Sequence, residues 1–322
     1  MNALSHSIRT RIPPLLGLAL LLFAGTALAA PRVVVSIQPI HALVSGVMDG
    51  VAEPELLLAA NASPHDYAMR PSDMRRLQQA DLVIHVGEAL ETFLERPLEA
   101  LPERVERIEL LHDAALHTLP LREGGVWERH EHAESERGHE HDHDHDHEHE
   151  GVDAHIWLSP ENARRIVRHV ADVLARLDAP NAARYEANAG RLLERIDAMD
   201  RRLGDALTAV KDRPYILFHD AYHYFEDHYG LTPAGSITVD PSRAPGAKRL
   251  REIRARIQAT QAICVFSEPQ FKPAIVATLI EGTGARTGVL DPIGSTLPPG
   301  TDAWFRLMDD LAANLRACLL AE

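Results

Sequence analysis

Cysteine is nearly missing from this sequence. Two cysteines among 322 residues are too few for a disulfide-dense scaffold, a four-cysteine zinc site or an iron–sulfur centre. Aromatic residues are also scarce, at 5%. Cations are outnumbered, 33 Lys and Arg against 47 Asp and Glu, leaving a formal net charge of −14. Phosphate backbones need clustered Lys and Arg, so this balance excludes nucleic acid and anionic membrane surfaces as partners. What is plentiful is histidine, with 19 residues. The apolar share of 45% and charged share of 25% are those of folded globular domains, and the length suits about two of them.

The N-terminal stretch reads as an address. Arg9 and Arg11 precede an apolar run from Pro13 to Ala24, and the small-residue triplet Ala27-Leu28-Ala29 follows. That run is shorter than the roughly 20 residues that cross a bilayer. The order of charged region, apolar region and A-x-A site predicts a cleaved signal peptide over 1–29, with export to the periplasm. No cysteine follows the cleavage point, so no lipid anchor is expected. In an oxidising compartment Cys264 and Cys318 are expected to form a disulfide, worth about 4 kcal/mol in the chain-entropy model.

Short β-branched runs alternate with helical patterns along the rest of the chain. Strands are expected at Val33–Ile37, Glu55–Leu58, Leu82–Val86 and Val105–Leu110, then at Tyr215–Phe218, Ser236–Val239, Ala262–Phe266 and Thr287–Leu290. Helices are expected at Pro71–Gln79, Glu91–Ala100 and from Ser159-Pro160 to about Leu177. Others are expected near Tyr222–His228 and at Ala247–Ala259, Pro273–Glu281 and Asp302–Leu319. Such alternation implies an α/β protein with parallel sheets, about four βα units in each half. Between the halves Tyr185, Ala189, Leu192, Ile196, Met199 and Leu203 recur at helical steps. The expected organisation is a lobe over 30–178, a long stiff linker helix over 179–211 and a second lobe over 212–322, with little closure between lobes.

The histidines fall into groups. Residues 128–150 hold His130, His132, His139, His141, His143, His145, His147 and His149 among ten acids and two arginines. The segment lacks apolar periodicity and is expected to be a disordered loop that collects metal weakly and at several points. Its formal H-E-x-x-H match at His139 carries no weight, because no amphipathic helix frames it. His65, His155 and His219 instead stand beyond strand ends or at the start of turns, where α/β proteins place ligands. Three imidazoles suit Zn²⁺ and leave a fourth position for water or a carboxylate, with Asp291 the candidate. His41, His85, His112, His117 and His169 have no partner motif. His223, four residues after His219, is set aside because its helix is expected to turn it away from the other lobe.

The phrases Ser63-Pro64-His65-Asp66-Tyr67, His155-Ile156-Trp157-Leu158-Ser159-Pro160, Phe218-His219-Asp220-Ala221-Tyr222, Phe266-Ser267-Glu268-Pro269-Gln270-Phe271 and Leu290-Asp291-Pro292-Ile293-Gly294 carry a resemblance. In this order they are similar to the metal-binding solute-binding proteins of ABC transporters, zinc type. The resemblance spans about Pro31 to Leu319. It implies two (β/α)4 lobes joined by a rigid helix, with Zn²⁺ held between them by His65, His155 and His219. It also implies a monomeric periplasmic carrier, not an enzyme, that delivers zinc to an inner-membrane ABC permease. Manganese-type relatives usually have a carboxylate at the position of His219, so histidine here favours zinc. Some zinc-type relatives have a Glu ligand just before the first histidine; this chain has Pro64 there.

Two other readings remain: a manganese or iron carrier of the same fold, and a zinc hydrolase. The hydrolase needs a positioned base, and no motif marks Asp66, Asp220 or Glu268 as one. If the division between loop and cleft holds, deleting 128–150 removes a weak class of zinc sites and leaves one tight site. Competition titration of the deleted and intact chains checks this, and loss of the tight site on deletion would contradict it.

Overall fold

The run Val33-Val34-Val35 is buried on both faces, as a central strand of a parallel sheet must be. A computed structural model of the chain describes residues 30–59, 62–122, 151–238, 241, 245–271 and 274–321. The expected signal peptide and the histidine-rich segment 128–150 lie outside these described residues. The first lobe contains β1 (Val33–Val35), α1 (Gln38–Val47), β2 (Glu55–Leu56), α2 (Pro71–Gln79), β3 (Leu82–His85), α3 (Glu95–Glu99), β4 (Glu106–Glu109), α4 (Leu110–Asp113) and α5 (Pro160–Leu177). Then come α6 (Ala182–Leu207), β5 (Tyr215–His219), α7 (His223–Tyr229), β6 (Gly235–Thr238), α8 (Ala247–Thr260), β7 (Cys264–Ser267), α9 (Ala274–Ile280), β8 (Arg286–Val289) and α10 (Ala303–Leu320).

The strands form two four-stranded sheets, ordered β2-β1-β3-β4 and β6-β5-β7-β8. Every pairing is parallel, for instance Val34 with Val83 and Cys264 with Arg286. The two lobes therefore repeat one winding pattern, and each sheet directs its strand carboxyl ends to one edge.

Local chemistry accounts for the helix boundaries. Ser159 caps α5 by accepting from the Asn162 N–H at 3.2 Å, with Pro160 at the first position, where its missing N–H costs nothing. The Glu91–Ala100 helix is shorter than expected: Thr92–Leu94 is a 3₁₀ turn and the α-helix begins at Glu95. Pro97 lacks an N–H to donate and fits only a first turn. α1 escapes periodicity altogether, because it is buried almost all round and shows no polar stripe.

α6 is the linker, 26 residues long and so about 39 Å at 1.5 Å per residue. It continues at each end as a 3₁₀ turn, Ala179–Asn181 and Thr208–Val210. Its buried stripe of Tyr185, Ala189, Leu192, Ile196, Met199, Leu203 and Leu207 follows the expected periodicity. Gly46 of α1 lets the helices approach closely, since a Cβ there would stand 3.0 Å from Leu192. On the outer side Arg164 of α5 grips Asp197 and Asp200, each at 2.6 Å, and His228 of α7 meets Asp200 at 2.8 Å.

The lobes share one core. A continuous apolar body joins β1, β3, α1, α5, α6 and α10 to Tyr215, Leu217, Cys264 and Phe266 of the second sheet. The alternate residues Ile216, Phe218 and Val265 face a smaller body built with α8 and α9, as period-2 alternation requires. Cys264 and Cys318 are paired as expected, across a sequence separation of 54, fastening α10 to β7. None of the described helices is long and apolar enough to cross a membrane.

Gly190 and Gly204 interrupt α6 with open space where a Cβ would stand. Ala at either position is therefore expected to stabilise the protein by about 0.5–1 kcal/mol. Denaturant unfolding of the single variants measures this, and a loss of stability would show that the helix needs the glycine.

Candidate metal centre

Two loops and a strand end converge where the strand carboxyl ends of the two sheets meet. The first, after β2, carries His65. Its shape is fixed by Asp73 of α2, whose Oδ2 accepts the Arg70 N–H and the Tyr67 hydroxyl, both at 2.8 Å. The second carries His155, immediately before the 3₁₀ turn Ile156–Leu158. His219, the third, is the final residue of β5 and stands in register with Thr238.

One ring nitrogen from each of His65, His155 and His219 lies within 4.8 Å of the others. The Nε2 atoms of His155 and His219 are 3.4 Å apart. His155 and His219 are 7% and 2% exposed, while His65 sits nearer the rim. The cavity they line, with Trp157, Phe271 and Pro292, has a volume of about 20 Å³. That is room for one ion or water.

Two carboxylates behind the rings set their orientation. Asp153 Oδ1 accepts the His155 backbone N–H at 2.9 Å and stands 2.7 Å from its Nδ1. Glu268 Oε1 stands 2.6 Å from Nδ1 of His219. An imidazole that donates Nδ1–H to a carboxylate presents the lone pair of Nε2, the form a metal needs. Both carboxylates were missed as positioning groups in the sequence. The available signals were an aspartate two residues before His155 and a glutamate directly after β7.

The electrostatics separate the rings. Burial, reinforced by the neighbouring His155 and His219, holds His65 well below its ordinary pKa of 6.5, so its imidazole stays neutral. Burial alone would lower His219 too, but Glu268, with Asp220 and Asp153, more than offsets it and raises the pKa above 6.5. His219 is thus the ring on which a proton competes with a metal.

Other expected residues lie elsewhere. Among the described residues the structure does not bring Asp291 into the nitrogen group. Its Oδ1 accepts from Gln270 Nε2 at 2.8 Å and from the N–H groups of Ile293 and Gly294, and its Oδ2 accepts from Ser295 at 2.8 Å. That is the work of an aspartate closing its own turn. His223 is not turned away as expected: its Nδ1 lies 3.8 Å from Asp153 Oδ2, behind the site but outside the nitrogen group. His41 bonds the Pro54 carbonyl at 2.9 Å, a structural role. The eight histidines of 128–150 lie outside the described residues.

The family model for zinc-uptake complex component A, periplasmic (ZnuA), matches residues 33–318. The high-affinity zinc uptake system protein ZnuA of Brucella abortus is 45% identical over 316 residues, covering 92% of this chain and 95% of that protein. Its Yersinia pestis counterpart is 39% identical over 313 residues, covering 95% and 96%. Among solved structures, a crystal structure of ZnuA superposes with a TM-score of 0.73 at 24% identity, covering 90% of this chain and 99% of that one. This last likeness speaks to the fold.

The carboxylate–imidazole pairs generate a prediction. Glu268→Gln keeps an acceptor for Nδ1–H but removes its charge, so zinc affinity is expected to fall about 10–100-fold. In the unsubstituted protein zinc binding near neutral pH displaces a proton from His219, and affinity falls as pH drops through the raised pKa of that ring, beginning above its ordinary 6.5. In the variant that proton release shrinks. Calorimetry in buffers of different ionisation enthalpy reads both effects, and unchanged proton release would contradict the role given to Glu268.

Proposed function

The chain belongs to the family of periplasmic zinc-uptake complex component A proteins, and on that premise we propose that it captures Zn²⁺ between its lobes and delivers it to an ABC permease of the inner membrane. His65, His155 and His219 are the ligands in this reading. The observation that carries it is three imidazole nitrogens within 4.8 Å of one another, drawn from both lobes. Three nitrogens suit zinc, whereas manganese prefers more oxygen. A water completes the coordination, since the carboxylate of Asp291 is engaged in its own turn.

The protein is a binding component rather than a zinc hydrolase. The cavity of about 20 Å³ is sized for a single ion. Asp153 and Glu268 are engaged by the Nδ1 atoms of His155 and His219, which commits both to orienting ligand rings. Residues 1–29 serve as the export signal to the periplasm and are removed. The histidines of 128–150 collect metal weakly and at several points.

Replacing His65, His155 or His219 by Ala is expected to abolish the tight zinc class, a loss larger than the about 10–100-fold of an outer carboxylate. A chelator competition with zinc and, separately, manganese tests this. Tight binding retained in His219→Ala, or equal affinity for the two metals, would defeat the assignment.

A further inference from the structure

We propose that Arg122 is a positioning residue for metal choice: it holds the Asp220 carboxylate off the ion, so that the cleft presents nitrogen without an added oxygen. The inference rests on the zinc-carrier reading and extends it to selectivity. Asp220 directly follows His219 at the carboxyl end of β5, close enough for its charge to act on that imidazole. Added hard oxygen shifts a nitrogen site from Zn²⁺ towards Mn²⁺.

That carboxylate is already taken. Arg122 Nε donates to Asp220 Oδ2 at 3.1 Å and Nη2 donates to Oδ1, while Nη1 meets Glu226 Oε2 of α7 at 2.8 Å. The Arg122 and Asp220 side chains are only 14% and 9% exposed, so water does little to weaken the pairing. Two parallel bonds from one planar guanidinium fix a carboxylate in orientation as well as place, which an ammonium cannot do. Glu226 is itself anchored by the Tyr215 hydroxyl at 2.7 Å.

The backbone that carries Arg122 is equally constrained. Pro120 and Val152 form an antiparallel bridge, and the Leu121 N–H donates to the Gly151 carbonyl at 2.7 Å. Leu119 N–H donates to the Tyr224 hydroxyl at 3.0 Å, and that hydroxyl donates to the Asp153 carbonyl at 2.7 Å. Arg122 therefore reaches from the first lobe to the residue beside His219, from a segment tied to the residue that orients His155. The clamp thus bears on both halves of the metal site.

The test uses the full chain loaded with less than one equivalent of Co²⁺, whose visible absorption is intense in four-coordinate sites and weak in six-coordinate ones. Arg122→Ala is expected to weaken that band and lower the Zn²⁺-to-Mn²⁺ affinity ratio about tenfold, as a freed oxygen donor would. The double variant Arg122→Ala with Asp220→Asn is expected to restore both. An unchanged band and ratio in Arg122→Ala, or a defect that persists in the double variant, overturns the proposal. If Arg122→Ala does not fold, Arg122→Lys is read instead: an intermediate band supports the clamp and a native one refutes it. His219→Ala serves as the control for the underlying reading, since tight cobalt retained there sinks the zinc site itself, whatever Arg122 does.

Discussion

The Nδ1 atoms of His155 and His219 each meet a buried carboxylate, and the remainder of the cleft is arranged around those two contacts. Asp153 and Glu268 are 2% and 3% exposed. Two anionic groups so far from water are costly unless positive charge stands near. A divalent cation among three neutral imidazoles supplies that charge. The same carboxylates aim Nε2 of both rings at one point, so they orient the ligands and also make the cavity electrostatically incomplete without an ion. The opposite treatment of His65, kept neutral, and His219, drawn towards its protonated form, follows from which ring has a carboxylate behind it.

Convergence of nitrogens from two lobes requires that the lobes do not drift. Here the restraint is packing rather than a hinge. One apolar body runs from the first sheet through α1, α5, α6 and α10 to the inner face of the second sheet. Buried hydrogen bonds cross it: Trp157 donates to the Pro292 carbonyl at 2.7 Å, Trp304 donates to the Trp157 carbonyl at 2.8 Å, and Gln38 donates to the carbonyls of Gly294 and Leu297. Trp157 thereby links the turn after His155 to the turn closed by Asp291. Opening the lobes would break these bonds together, so release of the ion is better served by small local movements than by a wide swing.

Most of the architecture was legible because it rests on short-range rules. Strand and helix order, the Ser159-Pro160 start of α5 and the stripe along α6 follow from periodicity and capping. The disulfide followed from compartment and count. α1 was not legible, since a helix buried nearly all round has no stripe to read, and Pro97 moved the start of α3. At the site, the three histidines stood out by their places after strands or before turns. The fate of Asp291 did not, because its capture by Gln270, Ser295 and the turn amides depends on a loop whose geometry no spacing reveals. Glu268 lacked a pattern for the same reason, its partner lying 49 positions away, whereas Asp153 stands two residues before His155 and left a local trace that the histidines overshadowed.

α10 completes its packing against α1 and α6, elements that end 96 or more positions before α10 begins. The first lobe therefore cannot acquire its finished inner surface until residues 303–320 have arrived and docked. Contacts of such separation form late, so affinity for the ion is among the last properties gained during folding.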